Sequence, residues 1–323
     1  MVESPVLLLT FNRADNARKV FEKIREAKVK KLYFACDGPR PNNTKDLEER
    51  KKLIQLSQEV DWDCELHTLF REENLGCGLG VSSAITWAFE NEDRLIVLED
   101  DCVPSLPFFS FCDHCLEKYK DDTRIWTING RSQNENDPSF FDYDYVFSIY
   151  YHCWGWATWK RVWQNFDIRT PWLNQYMKEI GFRNIATSSK ERLLFVKMYA
   201  RKIMHNPNYY RSSWATPFGV YIAANGGLSI TPRENLIHNI GLDGVHSEGI
   251  NANNLPIYYR LQASETFTFS KEPEFVTSNS AYNRVHLEKH MLPMGRRKIT
   301  LKKVIRKLKK IYHQYKANKK IEL

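Results

Sequence analysis

Three consecutive carboxylates, Glu99-Asp100-Asp101, close the apolar run Arg94-Leu-Ile-Val-Leu98. Adjacent carboxylates repel, and a hard divalent cation relieves the repulsion by taking their oxygens as ligands. Mg2+ and Mn2+ suit such oxygens and commonly share a substrate's phosphates. The plainer reading is a solvated acidic turn. Other apolar runs end in polar residues too. Thr10, Asn12 and Arg13 follow Pro5–Leu9, Asp37-Gly38-Pro39 follows Lys31–Cys36, and Gly76, Gly78 and Gly80 follow a run at 64–70. A guanidinium at position 13 has the fork that pairs with phosphate; the alternative is a surface arginine. Asp37 is either a turn former or an acceptor for a base N–H of the kind uracil offers. The glycines follow the third strand with the wrong spacing for a dinucleotide fingerprint. They suit a close approach of backbone to a ligand or to a neighbouring helix.

Farther along, Tyr150-Tyr-His-Cys-Trp154-Gly155-Trp156-Ala-Thr-Trp159 gathers aromatics around a glycine, and Trp214 begins another apolar stretch. Such rings are either core or a platform on which sugar CH faces stack. His246, in Gly244-Val-His-Ser, is either structural or a third ligand to the cation.

The elements that must carry these residues alternate. Strand patterns at 5–10, 31–36, 64–70 and 94–98 are separated by helical ones at 15–28, 44–60 and 82–90. Alternation of this kind implies a mostly parallel, doubly wound α/β sheet, and such sheets bind ligands beyond the carboxyl ends of their strands. Asn12, Arg13, Asp37 and the acidic triplet all fall there. In the second half, helices are expected at 107–120, 185–204 and 214–224. Strands are expected at 125–128, 228–231 and 235–240, with a polar loop over 133–145.

The chain has 323 residues, 42% hydrophobic and 27% charged, enough for one large α/β domain or two small ones. Its net charge of +8 is uneven. Residues 296–320 hold twelve Lys and Arg and no acid, leaving residues 1–295 at about −3. A nucleic-acid-binding fold would spread its cations over one face, so that class, and nucleic acid as a partner, is set aside. Ile299, Leu301, Val304, Ile305, Leu308, Ile311, Tyr312 and Tyr315 recur at helical spacing among those cations. The pattern is a basic amphipathic helix of the sort that lies on an anionic membrane surface, or one that packs on its own domain or a partner. Seven cysteines, an odd number without paired spacing, argue against a disulfide framework. Cys112 and Cys115 lack a second pair for a zinc site. The N-terminal apolar run is too short for a signal peptide, and no stretch approaches the ~18–20 apolar residues of a membrane span. The expected location is cytoplasmic, peripheral on the inner face of the membrane.

Taken in order, Leu-Leu-Thr-Phe-Asn-Arg13, Ala-Cys-Asp37-Gly, Glu-Asn-Leu-Gly76-Cys-Gly-Leu-Gly80 and Val-Leu-Glu-Asp-Asp101 resemble the GT-A fold glycosyltransferases. The bacterial group similar to N-acetylglucosaminyltransferase I, often labelled family 2, is nearest. The likeness continues through Trp154-Gly-Trp-Ala-Thr-Trp159 and Asn235-Leu-Ile-His-Asn-Ile-Gly241 to His246, covering roughly residues 4–250. It implies a three-layer α/β sandwich over residues 1–270, with a donor-binding half (1–105) and an acceptor half (106–270). A connecting segment (271–295) and the basic helix (296–323) follow.

The resemblance further implies that Asp101 is the main protein ligand of Mn2+ or Mg2+ bridging the donor diphosphate. Glu99 and Asp100 would contact donor sugar and ribose, Asp37 the nucleobase, and Arg13 the phosphate side, within a donor pocket that includes Thr10, Asn12, Gly76 and Gly80. Trp154, Gly155, Trp156 and Trp214 would form the sugar platform. The activity implied is inverting, metal-dependent hexosyl or N-acetylhexosaminyl transfer from a nucleotide-sugar, UDP favoured, to a glycan or polyprenyl-linked acceptor in surface polysaccharide synthesis. One departure stands out. Where the animal enzyme carries its proposed base in a Trp-Asp-Asp-Trp context, this chain has Ser213-Trp-Ala-Thr-Pro217, with no carboxylate. Asp243 and Glu248 are the nearest substitutes by sequence for the base such a transfer needs. A sugar nucleotidylyltransferase and a degenerate scaffold remain as alternatives.

Overall fold

The computed structural model describes residues 2–133, 137, 140, 143–241 and 257–292. Its organising element is an eight-stranded sheet in the order β3-β2-β1-β4-β8-β6-β9-β7. The strands are β1 (Val6–Thr10), β2 (Lys31–Cys36), β3 (Glu65–Phe70), β4 (Arg94–Glu99), β6 (Ile125–Asn129), β7 (Tyr145–Ser148), β8 (Trp156–Trp159) and β9 (Leu228–Pro232). The first four pair in parallel; β8 runs against both β4 and β6, and β7 against β9, while β6 and β9 are parallel. One mostly parallel sheet therefore spans both expected halves. A small antiparallel ribbon of β5 (Cys102–Pro104) and β10 (Ile237–Asn239) crosses its carboxyl edge.

Strand alternation divides the core in two. Val6, Leu8, Ile96 and Leu98 face helices α1 (Ala14–Ala27), α2 (Thr44–Ser57) and α4 (Leu106–Lys118). Leu7, Leu9, Leu95 and Val97 face α3 (Gly76–Ala88), with Trp156, Trp214, Phe218 and Ile222. Burying each such aliphatic side chain contributes roughly 1.5–3 kcal/mol. The apolar face read for the first helix, Ala17, Val20, Phe21 and Ile24, is the buried face of α1. Helix α3 begins at Gly76, six residues before the expected Ser82, because its first turn is capped from outside the helix, as described below.

The second half of the chain adds short helices: α5 (Lys160–Trp163), α6 (Leu173–Glu179), α7 (Ser189–Phe195), α8 (Arg201–Met204), α9 (Tyr209–Ser212) and α10 (Ala215–Ala224). The single helix expected at 185–204 is α7 and α8 joined by a π-turn at Val196–Ala200. After α11 (Ile257–Arg260), the segment expected as a connector forms α12 (Ser280–His286) and a second π-turn at Leu287–Met291, with α12 on the sheet edge at β7. The basic helix expected at 296–323 lies outside the described residues. Among the described residues no helix is long and apolar enough to cross a membrane.

Candidate active site

The carboxyl ends of β1, β2 and β4 deliver three polar groups to one edge. After β1, Arg13 turns its guanidinium onto the acidic turn: it ion-pairs with Asp100, and its Nη1 lies 2.8 Å from Asp101 Oδ2. Asp100 is 3% exposed, and the side chains of Asp101 and Arg13 are 15% and 26% exposed. Burial alone would lower the Arg13 pKa, but Asp100 and Asp101 more than offset it and hold the guanidinium charged. The repulsion expected to call in a metal is thus already relieved in part by an arginine. Arg13, expected on a phosphate, is placed on these two carboxylates.

Alternation puts Glu99 on the opposite face from Asp100, the face of Leu95 and Val97. No arginine or lysine pairs with it among the described residues; the Trp214 indole N–H reaches it, and Cys77 and Cys153 lie near it. Burial, then Asp101 and Asp100, push the Glu99 pKa up; burial likewise raises Asp100, against the pull of Arg13. The acidic turn is therefore costly to keep fully ionised, as sites that meet charged ligands commonly are.

Asp37 follows directly on β2 and caps α3 from outside the helix. Its carboxylate accepts from the backbone N–H of Gly38 (3.0 Å), Leu75 (3.1 Å) and Gly76 (2.9 Å), and from Asn74 Nδ2 (3.1 Å). Burial raises its pKa against these donors. The glycines now have specific reasons. Gly76 adopts φ +77°, a β-carbon on Gly80 would sit 3.0 Å from Asp37 Oδ2, and one on Gly78 would sit 1.8 Å from the Tyr210 carbonyl oxygen. Close approach to Asp37 and to α9 explains them without a ligand.

Several expected contacts are already committed. The buried Thr10 hydroxyl donates to the Ala35 carbonyl (2.9 Å), tying β1 to β2. Asn12 Nδ2 donates to Asp46 (2.8 Å), tying the β1 turn to α2. Trp156 and Trp214, expected in the sugar platform, are 0% and 1% exposed and stack at 5.3 Å in the core, so neither offers a face to a sugar. Gly155 (φ +57°) is required by packing, since a β-carbon there would strike Ile237. Trp154 alone of that set is part-exposed, with Tyr259 at 5.0 Å and the Arg131 guanidinium 4.4 Å from its ring centre. Asp243, His246 and Glu248 lie outside the described residues.

Two residues were missed as contributors. Asn239 on β10 donates from Nδ2 to Asp101 Oδ1 (3.3 Å) and accepts the Gly241 N–H (3.0 Å). Gly241 lies so near that a β-carbon would stand 2.1 Å from Asp101 Oδ2. The signal was present in Asn239-Ile-Gly241, but the partner that gives it meaning is 138 positions away.

No group of three or more His, Cys, Asp or Glu among the described residues forms a self-sufficient metal site. The donor chemistry fits a different arrangement. One hard carboxylate, Asp101, sits at a strand end, and Mg2+-type ions use one or two carboxylates and draw their other oxygens from phosphates and water.

No family model and no curated protein matches the sequence. Solved structures that align with it include a UDP-glucose pyrophosphorylase complexed with UDP-glucose, at 10% identity over 76% of this chain and 95% of that one, TM-score 0.36. The glycosyltransferase GlyE of Streptococcus pneumoniae TIGR4 aligns at 9% identity over 60% of this chain, TM-score 0.30, and its apo form at 10% over 61%, TM-score 0.32. The aligned part spans 43% of GlyE. Likeness at this level decides neither fold family nor activity.

Proposed function

We propose that the protein is a metal-dependent glycosyltransferase of GT-A type that binds a nucleoside-diphospho-sugar, UDP favoured, at the carboxyl edge of β1, β2 and β4. One observation carries the reading. Asp37, Arg13 and Glu99-Asp100-Asp101 come from three neighbouring strand ends to the edge where such sheets bind ligands, and the Asn239–Gly241 strap holds Asp101 in place. In this reading Asp101 holds Mn2+ or Mg2+, which would supply Lewis-acid stabilisation of a leaving diphosphate. Asp37 and the α3 start border the nucleoside, and Glu99 faces the transferred sugar. Trp154 is the remaining aromatic of the expected platform able to meet an acceptor glycan or lipid-linked saccharide. The base is unassigned among the described residues, with Asp243 and Glu248 still the candidates by sequence. Residues 296–320 would hold the enzyme at an anionic membrane surface. The β1 turn, Phe11-Asn12-Arg13-Ala14, lacks the glycines of a nucleotidylyltransferase loop.

Calorimetry tests the reading directly. UDP, GDP and their sugar conjugates are titrated with Mn2+ or with EDTA, into the native chain and Asp101→Ala. Metal-dependent binding of one nucleotide, lost in the variant, is expected. Absence of any nucleotide binding would reduce the acidic triplet to an arginine-neutralised turn. Binding without turnover on any sugar conjugate would favour a scaffold.

A further inference from the structure

One helical face is left unexplained by the donor site. Helices α7 and α8, continuous through the π-turn at Val196–Ala200, bury Leu194, Phe195 and Ala200 against Tyr150, Phe182, Val220 and Ala223. A reciprocal cap fixes their start: Ser188 Oγ accepts the Glu191 N–H (3.1 Å), and the buried Glu191 carboxylate accepts the Thr187 N–H (2.7 Å) and the Tyr150 hydroxyl (2.9 Å). On the outer face Lys190, Leu193, Arg201, Lys202 and Met204 are all exposed, Leu193 by 67% and Met204 by 44%. Exposed Ile180 adjoins them, because the carbonyl of its neighbour Gly181 accepts from Nε of Arg192, the neighbour of Leu193 (2.8 Å).

Two features set this face apart. Single exposed apolar residues are ordinary, but of the six large apolar side chains exposed among the described residues, three are Ile180, Leu193 and Met204. The charge is also one-sided. Residues 178–204 hold seven Lys and Arg and two acids, and one of those acids is the buried Glu191. Elsewhere surface cations are matched: Arg18 with Glu59, Arg25 with Glu22, Arg50 with Glu72 and Lys52 with Glu49. Among the described residues no ion pair joins Lys190, Arg201 or Lys202 to an acid, while Lys197, between them, has an interaction of its own.

We propose that the outer face of α7 and α8, together with Ile180, is a docking surface for an anionic phospholipid bilayer. Unmatched cations suit the headgroups, and Leu193, Met204 and Ile180 suit the boundary between headgroups and acyl chains. A soluble polyanion would use the cations and leave the apolar side chains in water. This surface belongs to the folded part of the chain and is distinct from residues 296–320. α8 leads into α9, which packs on the start of α3, so a docked bilayer lies beside the cleft edge. In the glycosyltransferase reading that position suits an acceptor carried on a lipid; the surface itself stands without that reading.

The test uses the full chain with vesicles of phosphatidylcholine, alone or mixed with phosphatidylglycerol, read by amide hydrogen exchange and by cosedimentation. The mixed vesicles are expected to slow exchange across residues 189–204, and phosphatidylcholine alone is not. Each cation near such a surface strengthens binding by about fivefold. Lys190→Gln/Arg201→Gln/Lys202→Gln should therefore weaken cosedimentation by on the order of a hundredfold, and Leu193→Ser by about tenfold. All four side chains are exposed, so both variants should melt as the native chain does. Slowed exchange confined to residues beyond 292 would leave the membrane to the basic segment and overturn this surface, as would cosedimentation unchanged in both variants. Heparin binding that the triple variant loses, with 189–204 unprotected by vesicles, makes the face a polyanion site and sinks the bilayer. Self-association lost in Leu193→Ser, with no vesicle effect, makes it a contact between copies and sinks it too. UDP calorimetry separates the two ideas. A triple variant that binds UDP as the native chain does, but not vesicles, supports this surface alone; vesicle binding without any UDP binding sinks only the donor site.

Discussion

Removing the Arg13 guanidinium should expose how much of the acidic turn's stability depends on it. Arg13→Met keeps most of the stem and deletes the charge that pairs with Asp100 and Asp101. Stripping one partner from a buried ion pair costs about 3–5 kcal/mol. Two features lower that here: the guanidinium side chain is 26% exposed, and buried Asp100 can escape by taking a proton. Burial already raises native Asp100 to about 7 against the pull of Arg13, so at pH 6 its carboxyl is protonated with or without Arg13 and the loss through it is small. Above pH 7 the native carboxylate ionises beside Arg13 while the variant's stays protonated, at about 1.4 kcal/mol for each pH unit. The expected loss is therefore about 2–4 kcal/mol at pH 9. The sign follows from linkage. Without Arg13 the folded-state pKa of Asp100 rises further above its unfolded value, so the folded form holds the extra proton and stability falls as pH rises. The deficit should grow from pH 6 to pH 9. Urea unfolding at about pH 6, 7.5 and 9 measures it, and Arg13→Met/Asp100→Asn should recover most of it by removing the stranded charge. A deficit below about 1 kcal/mol at pH 9, or one equal at pH 6 and 9, would refute the view that Arg13 is the counter-charge of this turn.

Other outcomes follow from the same geometry. Glu99→Gln removes a carboxylate that burial and two neighbouring acids make costly to ionise. It should stabilise the metal-free protein by about 0.5–2 kcal/mol at pH 8, with the gain vanishing near pH 5, where the unfolded chain's Glu99 also begins to take the proton that the folded one already holds; melting curves at both pH values check this. Asp37→Asn leaves one acceptor oxygen where two serve four donors, and should cost about 1–2 kcal/mol at the α3 start in urea unfolding. Gly78→Ala drives a β-carbon into the Tyr210 carbonyl and should lower stability by about 1–3 kcal/mol or more, read from the shift in unfolding midpoint. Gly241→Ala should displace Asp101 and abolish metal-dependent UDP binding in calorimetry while the far-ultraviolet circular dichroism is retained.

The sequence by itself determined the alternating half of this fold. Pro5–Leu9, Leu32–Cys36 and Leu95–Leu98 are apolar over their whole length because both faces of those strands are covered, and runs of that kind are legible without neighbours. The polar residues closing each run were legible for the same reason, since the strand end sets where they emerge. What those residues touch was decided only by tertiary structure. Arg13 looked like a phosphate ligand and Asp37 like a turn or a base acceptor, until β1 came to lie between β2 and β4 and brought a guanidinium onto two carboxylates. The tryptophans show the limit most plainly. Trp154 and Trp156 are two positions apart across the left-handed Gly155, yet one is part-exposed against Arg131 and the other is sealed against Trp214. Composition cannot separate them, because an aromatic ring suits a core and a binding face equally well. The Asn239–Gly241 strap on Asp101 belongs to the same class. Contacts across more than a hundred residues arise from strand order, and local pattern carries no trace of it.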